Sequence, residues 1–165
     1  DSSRRGLPML RALFVEYPDD PGSWEVDDQY LFGADMLVAP LLENVTQRNV
    51  YLPPGQWVDY QSRQVYSGGW HNIRAGEIPI VVLVKSGSAI PHIKLAQSTA
   101  FMDWSKLELV VYAPDKQTAE GLVCLPSDQK LYKLELKAED GEFQLTENPL
   151  AEKVEWTIRT PSAPR

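Results

Sequence analysis

The sequence has one cysteine, two histidines and no cluster of basic residues in 165 positions. Cys124 stands alone, so no internal disulfide can form. It lies in the apolar run Gly121-Leu122-Val123-Cys124-Leu125, which predicts a buried, inert thiol. Sixteen Lys and Arg face 23 Asp and Glu, a net charge of -7. Nucleic acid and anionic membranes both require clustered positive charge, so neither is an expected partner. The longest apolar stretches, Pro79–Val84 and Met36–Leu42, are far shorter than the roughly 20 residues that span a bilayer. No signal-peptide pattern opens the sequence. The chain reads as soluble, with its compartment left open. His71 and His92 lie about twenty residues apart, with no second ligand at metal-binding spacing near either. There is no Gly-rich phosphate loop and no nucleophile elbow. No metal, cofactor or catalytic triad is expected.

What is present suits a folded β protein. Hydrophobic residues make up 43% and charged residues 24%, enough for a core without disulfides. The apolar run Met9–Val15, with Arg11 inside it, predicts a strand buried on both faces. Pro18-Asp19-Asp20-Pro21-Gly22 is turn chemistry. Trp24–Gly33 predicts a short helix, with Asp27 or Asp28 at its start and Gly33 at its end. Met36–Pro40 is a second apolar strand. Strand-like pieces follow at Gln47–Leu52, Gln56–Tyr60, Gln64–Tyr66, Trp70–Arg74, Pro79–Lys85 and Ala89–Ile90, punctuated by glycine and proline. Lys94–Lys106 reads as a connector. Further strands are expected at Leu107–Ala113, Gly121–Leu125, Leu131–Ala138, Glu142–Leu145 and Val154–Arg159. In the third of these, Tyr132, Leu134, Leu136 and Ala138 alternate with charged residues, the period of a half-buried strand. Thr160–Arg165 reads as a frayed tail. Many short strands between turn signals predict a mainly β fold, an antiparallel sandwich or open barrel.

Two carboxylate dyads, Asp19-Asp20 and Asp27-Asp28, invite comparison with the acid/base pair of glycoside cleavage. Neighbouring residues point apart on a strand or a helix, so neither dyad alone can clamp one bond from both sides. They are read as turn and helix-start residues. Arg11 is expected to pair with a buried carboxylate, with Asp28 the suggested partner. Trp24, Trp57, Trp70, Trp104 and Trp156 are read as core or interdomain plugs, with a sugar-stacking platform as the competing reading.

Several segments, in order, resemble glycoside hydrolase family 31, the retaining α-glucosidases, α-xylosidases and their relatives. They are Gly6-Leu7-Pro8-Met9-Leu10-Arg11, Glu16-Tyr17-Pro18-Asp19-Asp20, Asp28-Gln29-Tyr30-Leu31-Phe32-Gly33 and Asp35-Met36-Leu37-Val38-Ala39-Pro40. The likeness continues through Val50-Tyr51-Leu52-Pro53, Gly55-Gln56-Trp57-Val58-Asp59-Tyr60 and Ile78–Pro91. The resemblance implies a (β/α)₈ barrel followed by proximal and distal C-terminal β-sandwich domains. Residues 1–45 would be the end of the barrel, 46–95 the proximal domain, 96–160 the distal one, and 161–165 a tail.

In that family both catalytic aspartates lie on earlier barrel strands, whose motifs are not in this sequence. The resemblance therefore implies no catalytic residue here and an accessory piece inactive by itself, with its substrate-binding residues unknown. The implied partners are an upstream catalytic barrel and, in the whole enzyme, α-linked glucosides or xylosides. A free-standing carbohydrate-binding or structural β-sandwich remains the alternative. Apolar residues of the barrel remnant would face missing neighbours, so residues 1–42 are expected to repack on the sandwich or form a homo-oligomer. The distal part departs from the commoner pattern, reading Leu125-Pro126-Ser127-Asp128 where many members carry a Tyr, an acidic pair and Gly. The wording around Arg11, Trp70-His71 and the Cys-containing strand leans toward bacterial α-xylosidases.

Overall fold

The computed structural model describes residues 2–161; the tail predicted over 161–165 lies, beyond Pro161, outside the described residues. The chain is mainly β and forms two compact units, one running to Ser86 and the other Gly87–Pro161. The division falls before the connector Lys94–Lys106, because the strand that opens the second unit pairs only within that unit.

The first unit begins with a single helical turn, α1 (Ser2–Arg5), followed by β1 (Leu10–Arg11) and a second turn, α2 (Leu13–Glu16). A 3-10 turn over Pro21–Trp24 leads to β2 (Tyr30–Phe32), β3 (Met36–Pro40), β4 (Gln47–Asp59), β5 (Val65–Arg74) and β6 (Ile80–Lys85). These strands make one sheet in the order β1-β2-β3-β6-β4-β5, with antiparallel neighbours.

Two sequence expectations fail here. The Met9–Val15 stretch is not one buried strand. Only two of its residues extend: Arg11 takes the inward position, which turns Leu10 outward, and Met9, just before the strand, is exposed as well. The helix expected over Trp24–Gly33 is absent. Tyr30–Phe32 instead pairs with both β1 and β3, which buries Leu31 completely. Strand pairing has overridden the local helix signals.

The pieces Gln47–Leu52 and Gln56–Tyr60 are one long strand with an irregularity. Register shifts between Leu52 and Gln56, across Pro53-Pro54-Gly55. Two prolines supply no N–H to the ladder, so pairing breaks and resumes as a bulge. On β5 opposite, a Cβ at Gly68 would lie 3.0 Å from the Pro53 carbonyl and from Pro54 Cα, so the close approach depends on glycine. The core joins Leu13, Leu31, Leu37 and Ala39 to Val50, Leu52, Trp57, Ile73, Val81 and Leu83. Apolar residues before position 42 thus share one core with β4, β5 and β6.

The second unit contains β7 (Ser88–Ile93), a 3-10 turn at Thr99–Phe101, β8 (Lys106–Tyr112), β9 (Thr118–Cys124), β10 (Leu131–Glu139), β11 (Glu142–Leu145) and β12 (Glu155–Arg159). The sheet order is β11-β10-β9-β7-β8-β12. Not all of it is antiparallel. β12 runs parallel to β8, and β7 meets β9 through a single parallel bridge, Ser88 to Glu120. Leu107, Leu109 and Val111 of β8 share one core with Val123, Leu134, Leu136 and Phe143 from the other half of the sheet. The alternation expected in β10 holds, with Leu134 and Leu136 buried and Lys133, Glu135 and Lys137 exposed. The same period corrects the expectation for Cys124. Val123 and Leu125 point inward, so Cys124 between them is exposed.

Candidate functional site

The four aspartates singled out in the sequence lie in the first unit, in three kinds of surroundings. Asp20 accepts from Ser23 Oγ at 2.7 Å and from Tyr51 Oη at 2.8 and 2.9 Å. Asp28 is ion-paired with Arg48, whose guanidinium also donates to the carbonyls of Asp28 at 3.0 Å and Pro40 at 2.7 Å. Asp19 and Asp27 are exposed. Among the described residues, no hydrogen bond or ion pair joins one dyad to the other. Asp28 is not the partner of Arg11, as the sequence had suggested. The buried Arg11 guanidinium pairs with Glu16 and donates to Ser2 Oγ at 2.9 Å, and Arg5 reaches the same Glu16 at 3.1 Å. Glu16 is five residues from Arg11, and the α2 turn brings it back beside it.

His71 sits edge-on to Tyr66 and is 2.7 Å from the Ser67 carbonyl. Among the described residues, no group of three or more His, Cys, Asp or Glu side chains is arranged to hold a metal ion. No helix among them is long and apolar enough to cross a membrane.

The tryptophans divide. Trp57 is fully buried and donates to the Pro53 carbonyl at 2.9 Å. Trp104 and Trp156 pack on the rim of the second core. Trp24 is exposed, stacked on Phe14 at 4.5 Å between ring centroids, with its indole N–H on the Pro18 carbonyl. Trp70 is 60% exposed and meets Tyr51 at 5.4 Å between ring centroids.

Tyr51 links these features. It is the cross-strand partner of Trp70, and its ring lies where a Cβ on Gly22 would sit. Burial first, then the Asp20 carboxylate, push its hydroxyl above the ordinary tyrosine value. Along the same outward face of β4 and β5, Asn49 is opposite Asn72 and Gln47 is opposite Arg74. Asn72 Nδ2 donates to Asn49 Oδ1 at 2.9 Å. A run of one aromatic pair, one amide pair and one amide-guanidinium pair therefore lines the ribbon. Sequence reasoning missed this grouping because it treated β4 and β5 as four separate pieces.

Comparison with known proteins places these residues in a family. Residues 6–90 match the model of the glycosyl hydrolase family 31 C-terminal domain. Alpha-glucosidase 2 of Bacillus thermoamyloliquefaciens is 36% identical over 131 residues, covering 72% of this chain and 17% of the Bacillus protein. An alpha-xylosidase of Lactiplantibacillus pentosus is 33% identical over 105 residues, 61% of this chain and 14% of that protein. Among solved structures, the family 31 dextranase of Flavobacterium johnsoniae, complexed with isomaltotriose as a mutant, aligns with a TM-score of 0.75 at 27% identity. That alignment covers 87% of this chain and 19% of the dextranase. The chain thus spans about a fifth or less of the length of these relatives. With the match running through β1–β6 and into β7, the chain belongs to glycosyl hydrolase family 31 and carries its C-terminal domain.

Proposed function

We propose that this chain is the accessory C-terminal region of a retaining α-glycosidase of α-glucosidase or α-xylosidase type, and that the chemistry is done by a barrel upstream of it. The whole enzyme would act on α-linked glycosides. In such an enzyme one Asp attacks the anomeric carbon and a second protonates the leaving oxygen, and water completes retention. The observation that carries this reading is the match over residues 6–90, in a chain that spans 17% of the Bacillus α-glucosidase. The aspartates support it as well. Asp20 and Asp28 are bonded to Ser23, Tyr51 and Arg48, which leaves them poorly placed to serve as a nucleophile and an acid.

The apolar side chains left exposed before β4 fit the same reading. Met9, Leu10, Phe14, Trp24, Phe32 and Leu42 are all open to solvent. Phe14 stacks on Trp24 and Leu10 is paired with Phe32, and exposed apolar groups of this kind suit an interface. The partner we assign to it is the upstream catalytic barrel.

A pair of assays tests the reading. The purified chain should release no aryl alcohol from aryl α-glucosides or α-xylosides. Bacillus α-glucosidase 2 with its matched segment replaced by this chain should hydrolyse them, while the same enzyme lacking the segment should not. Turnover by the isolated chain, surviving repurification, would overturn the proposal.

A further inference from the structure

The outward face of the β4–β5 ribbon has a chemistry that packing does not use. Three cross-strand rungs follow one another: Tyr51 with Trp70, Asn49 with Asn72, and Gln47 with Arg74. Alternate residues on a strand point to the same side and are about 6.7 Å apart, so the three rungs extend over about 13 Å. Trp70 supplies a flat, 60% exposed ring at one end. Tyr51 supports it at 5.4 Å and is itself fixed by Asp20. The Asn49–Asn72 pair uses one donor and one acceptor between its side chains, leaving further amide donors and acceptors open. Gln47, Asn49, Asn72 and Arg74 are all exposed.

This combination selects its occupant. A protein partner would need contiguous apolar area, and Trp70 is the large exposed hydrophobic residue on these rungs. An anion would need clustered cations, and Arg74 is the single formal charge in the three rungs. A neutral polyol with one apolar face fits both ends. Its C–H face stacks on an indole, and its hydroxyls both donate to and accept from amides. We infer that the β4–β5 face, with Trp70 as base and Asn49, Asn72, Gln47 and Arg74 as hydrogen-bonding side, binds a short neutral oligosaccharide, its α linkage resting on the function proposed above. This surface goes beyond the accessory role proposed above and belongs to this chain alone, without the barrel. It would hold a glycan near the enzyme without cleaving it.

The test is titration of the full chain with isomaltotriose and, separately, maltotriose, followed by tryptophan fluorescence and by amide chemical shifts. Saturation near about 1 mM is expected for such an open site. Shifts should concentrate on residues 47–51 and 70–74. Trp70→Ala should weaken binding by about tenfold or more. Asn49→Ala with Asn72→Ala should weaken it further, while Trp24→Ala should leave it unchanged. All four substituted residues are exposed, and circular dichroism verifies that each variant is folded. No saturable binding by the folded chain, or binding unaffected by Trp70→Ala, would overturn the inference. Either result would leave the accessory role intact, since that role is read from turnover in the chimaeric enzyme.

Discussion

The side chain of Gln29 pairs with the backbone of Tyr51 as a neighbouring strand would. Gln29 Nε2 donates to the Tyr51 carbonyl at 2.5 Å, and the Tyr51 N–H donates to Gln29 Oε1 at 3.0 Å. Gln29 is 4% exposed, so water does not compete for these bonds. Gln29→Leu keeps the approximate volume but leaves both backbone groups of Tyr51 unpaired. Each such group is expected to cost about 1–3 kcal/mol, so urea unfolding should show a loss of about 2–6 kcal/mol. A change within about 0.5 kcal/mol would mean that the two bonds are dispensable.

The Arg11–Glu16 pair makes a second prediction. Arg11 has no exposed side-chain area, and Glu16 has little. Glu16→Leu strands the buried guanidinium and should destabilise the chain by about 3 kcal/mol or more. Adding Arg11→Met removes the uncompensated charge and should recover much of that loss. Chemical denaturation of the two single variants and the double variant gives the answer.

Much of the second unit was legible in the sequence, and part of the first was not. Tyr132, Leu134, Leu136 and Ala138 announced β10 because one face of that strand is buried and the other solvated. Tyr30–Phe32 gave no such signal. It is three residues long, and its conformation follows from pairing with β1 and β3. The sense of Cys124 was lost because an apolar neighbourhood is not an inward direction. The dyads were read as turn and helix-start residues, but no helix follows Asp27-Asp28, and the partner of Asp28 is Arg48, twenty residues along the chain. The Tyr51–Trp70 face was hidden because its register depends on a bulge at Pro53-Pro54-Gly55.

Asp128 is expected to contribute to the acid sensitivity of the second unit. Its carboxyl is held well below the usual carboxylate range by Lys153 first, then by the Tyr132 hydroxyl and the Lys130 N–H. The bonds to Tyr132 and Lys153 are 2.6 and 2.7 Å. A depressed folded-state value stabilises the fold fully above the unfolded value of 3.8 and is lost as pH falls below it. Thermal unfolding at about pH 6 and about pH 3 should therefore differ less in Asp128→Asn than in the unsubstituted chain. An equal acid sensitivity in both proteins would remove Asp128 from this role.

Alongside Tyr51, whose hydroxyl is also raised, Tyr17 is expected to contribute to the alkaline sensitivity of the first unit. Burial raises its hydroxyl above the ordinary value of 10.0, partly offset by Lys85, whose ammonium lies 5.4 Å over the ring. A raised folded-state value gives stability that is complete below that ordinary value and lost as pH climbs through the folded one. Melting temperatures compared at about pH 8 and about pH 11 should fall less in Tyr17→Phe. An undiminished fall in that variant would place the alkaline sensitivity elsewhere.

Cys124 should be alkylated by iodoacetamide in the folded protein, to one equivalent, because its side chain faces solvent. Cys124→Ser should change stability by no more than about 0.5 kcal/mol, the range of ordinary surface substitutions. Protection of the thiol until denaturant is added would contradict the outward orientation.

The parallel alignment of β12 with β8 has a consequence for how the second unit comes into being. Glu108 and Arg159 meet across that pair although 51 residues separate them. A strand that closes the sheet from so far along the chain cannot dock until almost the whole unit has left the ribosome. Until then β8 offers a bare edge to whatever strand comes near. Assembly of this unit should accordingly be slow and late compared with its own β10–β11 hairpin, and its vulnerable interval lies during synthesis.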